Sequence, residues 1–470
     1  MLYLIEDCLR IIFNELKYDL NSLYSCILVN RLWCRVAIPI LWKRNFDTEI
    51  LSYYKLYNAI IYLLPITSKM ILINNIDNEN IFPSTIRPLF NYIRISSQVP
   101  SRFIEEMIEA LIKKEDKFVS YKRNLLEQEV YKLFVSNCKD IKHFLLKTTQ
   151  HLYQFPGAST CFSQLCVLTI DISRVTSTIL FGMAIICENI EDLKIFQCDR
   201  DIPGLNRLID VQTKLKSLRL HEFYNTEKQC KELNKVIGKK ANTLQEIELV
   251  GPSVTSLLPK FLPLLKNLRS LKLCNELYDV SEESQEWEKY LSISSFPNLQ
   301  YLETEYLPFY NDCLLIEKSH GNILEINISQ DSNSIYHYTK KLINTIINYN
   351  SNIERLIINI KFENFDDIKE IFLNCNQLKM IDLSLYNENN LNCDGFFEIL
   401  IKYSPKTLCK IYFSDDEWIF TVNGLKSFFE NWKNWKAQIL FYRVEFTNEH
   451  MMVIEKFKVL LNLLVINGTN

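Results

Sequence analysis

The sequence has few of the residues on which common catalytic and phosphate-binding motifs depend. Nine glycines and six histidines occur in 470 residues, and the glycines form neither a G-x-G-x-x-G nor a G-x-x-x-x-G-K-[ST] loop. The histidines are isolated, and no C-x-x-C or H-x-x-x-H pair occurs. The stretch HEFYN, which begins at His221, lacks the second histidine of a zinc-protease motif. We therefore predict a protein that is not an enzyme and that holds no cofactor and no metal.

Long apolar runs and an excess of one charge are also missing. The stretch LYNAIIYLLPI is shorter than the roughly 18 residues of a membrane span and contains Asn58 and Pro65. The formal net charge of -3 gives no bulk attraction to nucleic acid or to an anionic membrane. The start, MLYLIEDCLR, carries acidic residues where a secretory signal carries basic ones. We expect a cytoplasmic or nuclear protein, or one found in both, with neither nucleic acid nor a membrane as partner.

Leucine and isoleucine recur in a regular pattern along the second part of the chain. The unit is L-x-x-L-x-L, with isoleucine freely replacing leucine, as in CENIEDLKIFQC and LKNLRSLKLCN. The first apolar positions of eleven such units are Ile141, Leu165, Ile190, Leu215, Leu244, Leu268, Leu299, Ile323, Ile353, Leu378 and Leu408. A twelfth, degenerate unit spans Ala437 to Tyr442. A period between the low twenties and about thirty is typical of leucine-rich repeats.

The repeats predict the fold class, an α/β solenoid of the leucine-rich-repeat horseshoe type. Its parallel strands lie on the concave side and its helices on the convex side. The units resemble the cysteine-containing class of leucine-rich repeat, in which one cysteine precedes the first leucine by three positions and another follows it by eight. Cys187 and Cys198 fit that pattern around Ile190, and Cys138 and Cys375 match its first cysteine. We expect all fourteen cysteines to be reduced thiols.

The first forty residues show the spacing of three short amphipathic helices. Leu9, Ile12, Phe13 and Leu16 share one helical face, and the segment LVNRLWCRV has an apolar face that includes Trp33. Pro39 is expected to end this third helix. Such a trio has a small core, so its apolar surface needs a partner.

Residues 4–42 resemble the F-box family. F-boxes read roughly L-P-x-D/E-h-h-x-x-I-F, then D-L, then V-x-R/N-x-W and finally L-W. In that order the chain has Leu4, Asp7, Cys8, Leu9, Ile12 and Phe13, then Asp19 and Leu20, then Val29, Asn30, Arg31 and Trp33, and finally Leu41 and Trp42. Ile5 stands where the family usually has proline. An F-box followed by cysteine-type leucine-rich repeats is a familiar architecture, as in the expanded fungal F-box families.

The resemblance implies a substrate-recognition subunit of a Skp-cullin-F-box ubiquitin ligase. The F-box would dock a Skp-family adaptor and, through it, a cullin, while the solenoid would bind a target protein that the sequence does not identify. By position, the adaptor surface would include Leu4, Ile5, Leu9, Ile12, Phe13, Val29 and Trp33. The alternative is a leucine-rich-repeat interaction scaffold that takes no part in ubiquitination, in which these residues serve only the core.

A target protein is expected to meet the strand side chains that alternate outward from the core. These are Asp192, Lys194, Phe196, Arg219, His221, Glu246, Glu248, Tyr301, Glu303 and Glu305, with Ser217, Arg355 and Asn359 in equivalent positions. We expect three domains: an F-box-like helical module at 1–47, a helical connector at 48–137 and the leucine-rich-repeat solenoid at 138–470.

Overall fold

The chain divides into two compact units in the computed structural model. The first unit comprises Met1–Phe196 and Ile202–Leu215, and the second comprises Gln197–Asp201 and Lys216–Asn470. The structure describes residues 5–45, 53–76, 88, 91–95, 99–112, 118–198, 200–221, 230–251, 259–275, 283–307, 309–330, 335–432, 437–461 and 463–466. No helix within these ranges has the length and apolar character that crossing a membrane requires.

The first unit begins with helices and continues into strand-helix repeats. Its opening helices are α1 (Glu6–Glu15), α2 (Leu20–Val29), α3 (Arg31–Asn45), α4 (Tyr53–Leu63), α5 (Ile66–Asn75), α6 (Tyr92–Ile95), α7 (Ser101–Leu111) and α8 (Val119–Asn137). The repeats are β1 (His143–Leu146), α9 (Ala158–Phe162), β2 (Val167–Asp171), α10 (Ser177–Ile186), β3 (Asp192–Phe196) and α11 (Pro203–Val211). Strand β2 pairs in parallel with both β1 and β3.

The second unit continues the alternation of strand and helix. Its elements are β4 (Ser217–His221), α12 (Lys231–Lys239), β5 (Glu246–Gly251), β6 (Ser270–Asn275), α13 (Glu283–Ser292), β7 (Tyr301–Glu305), α14 (Phe309–Glu317), β8 (Glu325–Ser329), α15 (Ile335–Tyr349), β9 (Arg355–Lys361), α16 (Phe365–Asn374), β10 (Met380–Tyr386), α17 (Asp394–Tyr403), β11 (Lys410–Ser414), α18 (Val422–Asn431), β12 (Gln438–Tyr442), α19 (Asn448–Leu461) and β13 (Leu463–Ile466). A 3-10 turn at Pro259–Leu264 takes the helical place between β5 and β6. Each strand from β4 to β12 pairs in parallel with the next.

The repeated apolar positions form the core of both units. The first apolar residue of all eleven predicted repeats is at most 1% exposed, from Ile141 to Leu408. Each strand begins two residues after that position, so the fourth and sixth positions of the motif point inward and their neighbours point outward. The twelfth, degenerate repeat forms β12. The predicted fold class, an α/β solenoid of the leucine-rich-repeat horseshoe type, is confirmed.

The position three residues before each repeat's first apolar residue closes the turn between helix and strand. Cys138, Cys187 and Cys375 are buried there, and their thiols fill the space of a small apolar side chain. In two other repeats the residue is Gln212 or Asn350, and its side chain bonds to the backbone of the preceding repeat. The Gln212 side chain accepts from Ile190 N at 2.9 Å and donates to Cys187 O at 2.7 Å. Asn350 accepts from Ile323 N at 3.1 Å and donates to Ile316 O at 3.0 Å.

Two local expectations were wrong or incomplete. Pro39 does not end the third helix, because α3 continues through it to Asn45. Val36, Ala37, Ile38 and Leu41 are buried on both sides of the proline, and that burial offsets the loss of one helical hydrogen bond. Strand β13, in which Val465 occupies the sixth motif position, was not predicted. The register against β12 pairs Leu463 with Ile439.

Candidate functional site

The first candidate surface belongs to α1, α2 and α3, here called the N-terminal helix cluster. Its buried core is formed by Leu9 and Phe13 from α1, Leu23 and Cys26 from α2, and Val36, Ala37 and Leu41 from α3. Trp33 is partly buried against this core, with its ring edge-on to Phe13 at a centroid distance of 5.2 Å. The amphipathic spacing of the three helices therefore produces a small shared core, as their apolar faces require.

Polar side chains fix the ends of these helices and join two of them. Asp19 accepts a hydrogen bond from Ser22 N at 3.1 Å, which caps α2, and Asn30 accepts from Trp33 N at 2.9 Å, which caps α3. Glu6 accepts from Arg10 and Arg35 at 2.8 Å each, so it links α1 to α3. The Arg10 hydrogen bond is the main reason that the pKa of the Glu6 carboxyl is lowered.

The seven predicted adaptor-binding residues divide into a buried and an exposed group. Leu9 and Phe13 lie in the core, and Trp33 is half-buried beside them. Ile5, Ile12 and Val29 are 70%, 44% and 56% exposed. Leu4 lies outside the described residues. Outside the predicted set, Ile11, Tyr18 and Leu28 are also at least two-thirds exposed. Helical spacing placed Ile12 on the same face as Leu9 and Phe13 and left Ile11 off that face, yet both isoleucines are exposed in the assembled cluster.

The second candidate surface is a set of charged side chains on the outward face of β4 to β7, here called the strand-face charge network. The strand register places Arg219, Glu248, Lys272 and Glu303 side by side, with alternating signs. Glu248 lies 3.7 Å from Arg219, 3.6 Å from Lys272 and 3.4 Å from His221 Nε2. Lys272 also pairs with Glu303 at 3.2 Å, and Arg219 with Glu246 at 3.5 Å. Opposite charges across adjacent strands stabilise the pairing and fix the side chains in place.

The pairing shifts the protonation equilibria of the network. A hydrogen bond with His221 is the main cause that lowers the pKa of the Glu248 carboxyl, and the charges of Lys272 and Arg219 add to it. Burial alone would lower the pKa of Lys272, but the Glu303 and Glu248 carboxylates outweigh burial and raise it. Burial and the hydrogen bond to Glu303 raise the pKa of Tyr301. The network therefore keeps both signs of charge at neutral pH.

A shallow depression of about 330 Å³ lies within the network and is bordered by Arg219, Lys272 and Tyr301. Lys272 and Ser270 line it, although neither was among the predicted target-binding residues. The sequence carried a signal for both, because they occupy the outward positions of the β6 motif in the same way as Glu246 and Glu248 do in β5. Half-buried polar groups around a depression can recognise a protein surface by complementary charge.

The remaining predicted target-binding residues belong to β7 and β3. Glu305 is half-buried near the end of β7. Asp192, Lys194 and Phe196 are half-buried on β3, which belongs to the first unit. The Lys194 ammonium lies 4.8 Å from the centre of the Phe196 ring, a cation–π contact. Within the second unit, the structure thus brings together Arg219, His221, Glu246, Glu248, Tyr301 and Glu303.

The buried cysteines are poor nucleophiles. Burial raises the pKa of the Cys138, Cys187 and Cys375 thiols to about 12, so these groups stay protonated at neutral pH. Within the described ranges, no three or more His, Cys, Asp or Glu side chains are arranged to hold a metal ion.

Comparison with known proteins finds solved structures of similar fold, but it finds no family to which the chain can be assigned. No protein-family model matches the chain, and no curated protein matches it. The yeast Rad7 and Elc1 complex is similar at 17% identity and a TM-score of 0.42, over 65% of this chain and 77% of that one.

Two other solved structures are similar at lower identity. The leucine-rich-repeat protein LegL7 from Legionella pneumophila is 12% identical, with a TM-score of 0.33 over 72% of this chain and 94% of that one. TLR13, in its complex with ssRNA13, is 14% identical, with a TM-score of 0.40 over 70% of this chain and 46% of that one. Nothing about the function of this chain follows from likenesses at these values.

Proposed function

We propose that this chain is a substrate receptor of a Skp-cullin-F-box ubiquitin ligase. Residues 1–47 would be the adaptor-binding module, residues 48–137 a helical connector and residues 138–470 the target-binding solenoid. The observation that carries the proposal is the N-terminal helix cluster. It combines an F-box-like sequence with apolar side chains of the motif that its own core leaves uncovered.

The apolar residues of the cluster divide into a core group and an exposed group, and this division supports an adaptor contact. Leu9 and Phe13 are needed for the core, whereas Ile5, Ile12 and Val29 contribute little to it because they are largely exposed. Large exposed apolar side chains are a feature of protein-binding surfaces. Trp33, which is half-buried against Phe13, would serve both the core and the partner.

The strand-face charge network is the proposed target surface. It is half-buried, internally paired and bordered by the tyrosine and arginine side chains that protein interfaces favour. Each ion pair is partly exposed and would contribute at most about 1 kcal/mol to stability. Its residues could therefore be changed without unfolding the chain.

The adaptor contact can be tested by titrating the full chain with a purified Skp-family adaptor. We expect Ile12→Asp and Val29→Asp each to weaken binding about tenfold or more, because a carboxylate would enter an apolar contact. Ile11→Asp is the matched control, since Ile11 is an exposed isoleucine on the same helix but lies outside the F-box motif. It should bind almost as well as the wild type.

Ile5→Pro tests the position where the chain departs from the F-box pattern. Ile5 has φ -66° and ψ 148° at the start of α1, and proline adopts that φ without strain. We expect the variant to fold normally and to bind the adaptor more tightly. If neither the wild type nor this variant binds the adaptor, the scaffold alternative replaces the receptor proposal.

The target arm can be tested separately by affinity purification of the tagged chain from its own cells, followed by mass spectrometry. Ile12→Asp should lose the adaptor and keep the target. Lys272→Glu, which places a third carboxylate beside Glu248 and Glu303, should keep the adaptor and lose the target. Retention of the same proteins by Lys272→Glu and by the wild type would argue against the strand-face charge network as the target surface.

A further inference from the structure

The second unit contains a basic groove on its helix side, away from the strand-face charge network. The groove has a volume of about 650 Å³ and lies between α12 and the 3-10 turn at Pro259–Leu264. Four lysines line it, Lys231, Lys235, Lys239 and Lys260, together with Phe261 and Leu264. The first three lysines are spaced by four residues, so they share one face of α12.

Part of this positive charge has no counter-charge among the residues that the structure describes. Lys235 pairs with Glu232 at 2.6 Å on the same helix. The side chains of Lys231 and Lys260 are exposed and make no ion pair with any residue in the described part of the chain. Two uncompensated ammonium groups on opposite walls of one groove attract an anionic occupant.

The floor of the groove is apolar. Phe261 is almost fully buried, whereas Leu264 is 52% exposed. Gly238 permits the close approach of α12 to this floor, because a Cβ at that position would lie 3.2 Å from Leu264 Cδ1. A purely ionic ligand such as phosphate would leave the exposed Leu264 side chain uncovered.

Asn234 adds a specific polar group to the lining. Its side chain is 6% exposed, and its amide donates to Cys230 O at 2.8 Å. Its Oδ1 atom accepts no hydrogen bond from any residue that the structure describes. A buried acceptor without a donor costs free energy, which an occupant with an N–H group can recover.

We propose that this groove binds an acidic peptide segment that carries one leucine-like side chain. The carboxylates face Lys231 and Lys260, the apolar side chain covers Leu264 and a backbone N–H serves Asn234. A peptide supplies all three groups at once, whereas a small anion supplies only the charge. The site is independent of ubiquitin transfer and of the adaptor.

The test uses the full chain and fluorescence anisotropy at an ionic strength of about 0.15 M, where exposed charges more than about 8 Å apart are largely screened from one another. The probe is a fluorescein-labelled nonapeptide with four glutamates on each side of a central leucine, and a second probe has glycine in place of that leucine. We expect the leucine probe to bind about tenfold more tightly than the glycine probe. The Lys231→Glu/Lys260→Glu double variant should weaken binding of the leucine probe by about tenfold or more.

The matched control is Lys266→Glu/Lys426→Glu, which makes the same charge change at two exposed lysines outside the groove. It should change the affinity by less than about twofold. The proposal fails if the leucine probe does not bind the wild type, if both double variants lose equal affinity or if the two probes bind equally. The four substituted lysines, Lys231, Lys260, Lys266 and Lys426, are all exposed. Thermal unfolding of both double variants should therefore match that of the wild type.

Discussion

Asp312 is a carboxyl group that the fold buries completely, on α14 in the second unit. Its Oδ2 atom accepts from Tyr338 Oη and, at 2.6 Å, from Gln330 Nε2. Burial raises the pKa of Asp312 to about 6, although the hydrogen bonds from Tyr338, Thr304 and Gln330 act in the opposite direction. The folded chain therefore holds a proton on this group that the unfolded chain releases at lower pH.

This raised pKa predicts a pH-dependent loss of stability. The contribution of Asp312 is most favourable below its unfolded pKa of 3.8. It declines as the pH rises to about 6 and stays constant above that value, where both states are ionised. Asp312→Asn removes the charge but keeps an oxygen that Tyr338 and Gln330 can use. We expect it to raise the free energy of unfolding by roughly 3 kcal/mol at pH 7 and by almost nothing at pH 4.

Urea unfolding of both chains at pH 4, 5, 6 and 7 measures this difference directly. Other titrating groups cancel, because they are common to the two chains. A stability difference that stayed constant across this range would show that Asp312 does not titrate as described.

Among the elements, α3 contains an internal proline, Pro39, which lowers the stability of the helix. Pro39 has no amide to donate to Arg35 O, so one helical hydrogen bond is missing. We expect Pro39→Ala to restore it and to stabilise α3 by about 1 to 3 kcal/mol. Hydrogen exchange of the α3 amides should then slow by roughly 5- to 150-fold. Unchanged exchange would mean that proline already fits this helix without strain.

Strand β13 allows a test of register with two adjacent leucines. Leu463 is 2% exposed and Leu464 is 41% exposed, so only Leu463 faces the core. Leu463→Asp should destabilise the last repeat by more than about 3 kcal/mol, because it buries an unpaired carboxylate. Leu464→Asp should change stability by less than about 1 kcal/mol. Limited proteolysis at β13 distinguishes the two variants, and equal protection in both would contradict the register.

For the whole molecule, the sequence predicted the repeats far better than it predicted the surfaces. The repeats were visible because a strand with inward apolar residues at fixed offsets must recur for each unit to bury its core. The β13 motif was not recognised, although Leu463 and Val465 occupy its fourth and sixth positions. The strand-face charge network was recognised in part, since outward positions follow from the strand period. Lys272 pairs with Glu248 and Glu303 because the register of β5, β6 and β7 places these three residues side by side. One repeat motif taken alone does not show which residues of the neighbouring repeats lie beside it.

The prediction for the N-terminal helix cluster was limited for a different reason. Helical spacing placed Leu9, Ile12 and Phe13 on the apolar face of one helix and Trp33 on that of another, but it did not show which apolar residues the three helices bury among themselves. That division depends on how α1 and α2 each pack against α3. The exposure of Ile12 and Val29 beside the buried Phe13 is a property of the assembled trio and not of any one helix.

The different burial of the cysteines also allows the local opening of the chain to be followed by the rates at which the thiols react. Cys8 and Cys409 are exposed, Cys166 is intermediate and the other eleven are buried. A disulfide reagent such as dithionitrobenzoate should consume the two exposed thiols first and Cys166 next. The buried thiols should react only when their own part of the chain opens. Reaction of more than three thiols in the first phase would contradict this burial. Peptide mapping of the slow phase would give a separate opening rate for the segment around each buried cysteine, without an engineered probe.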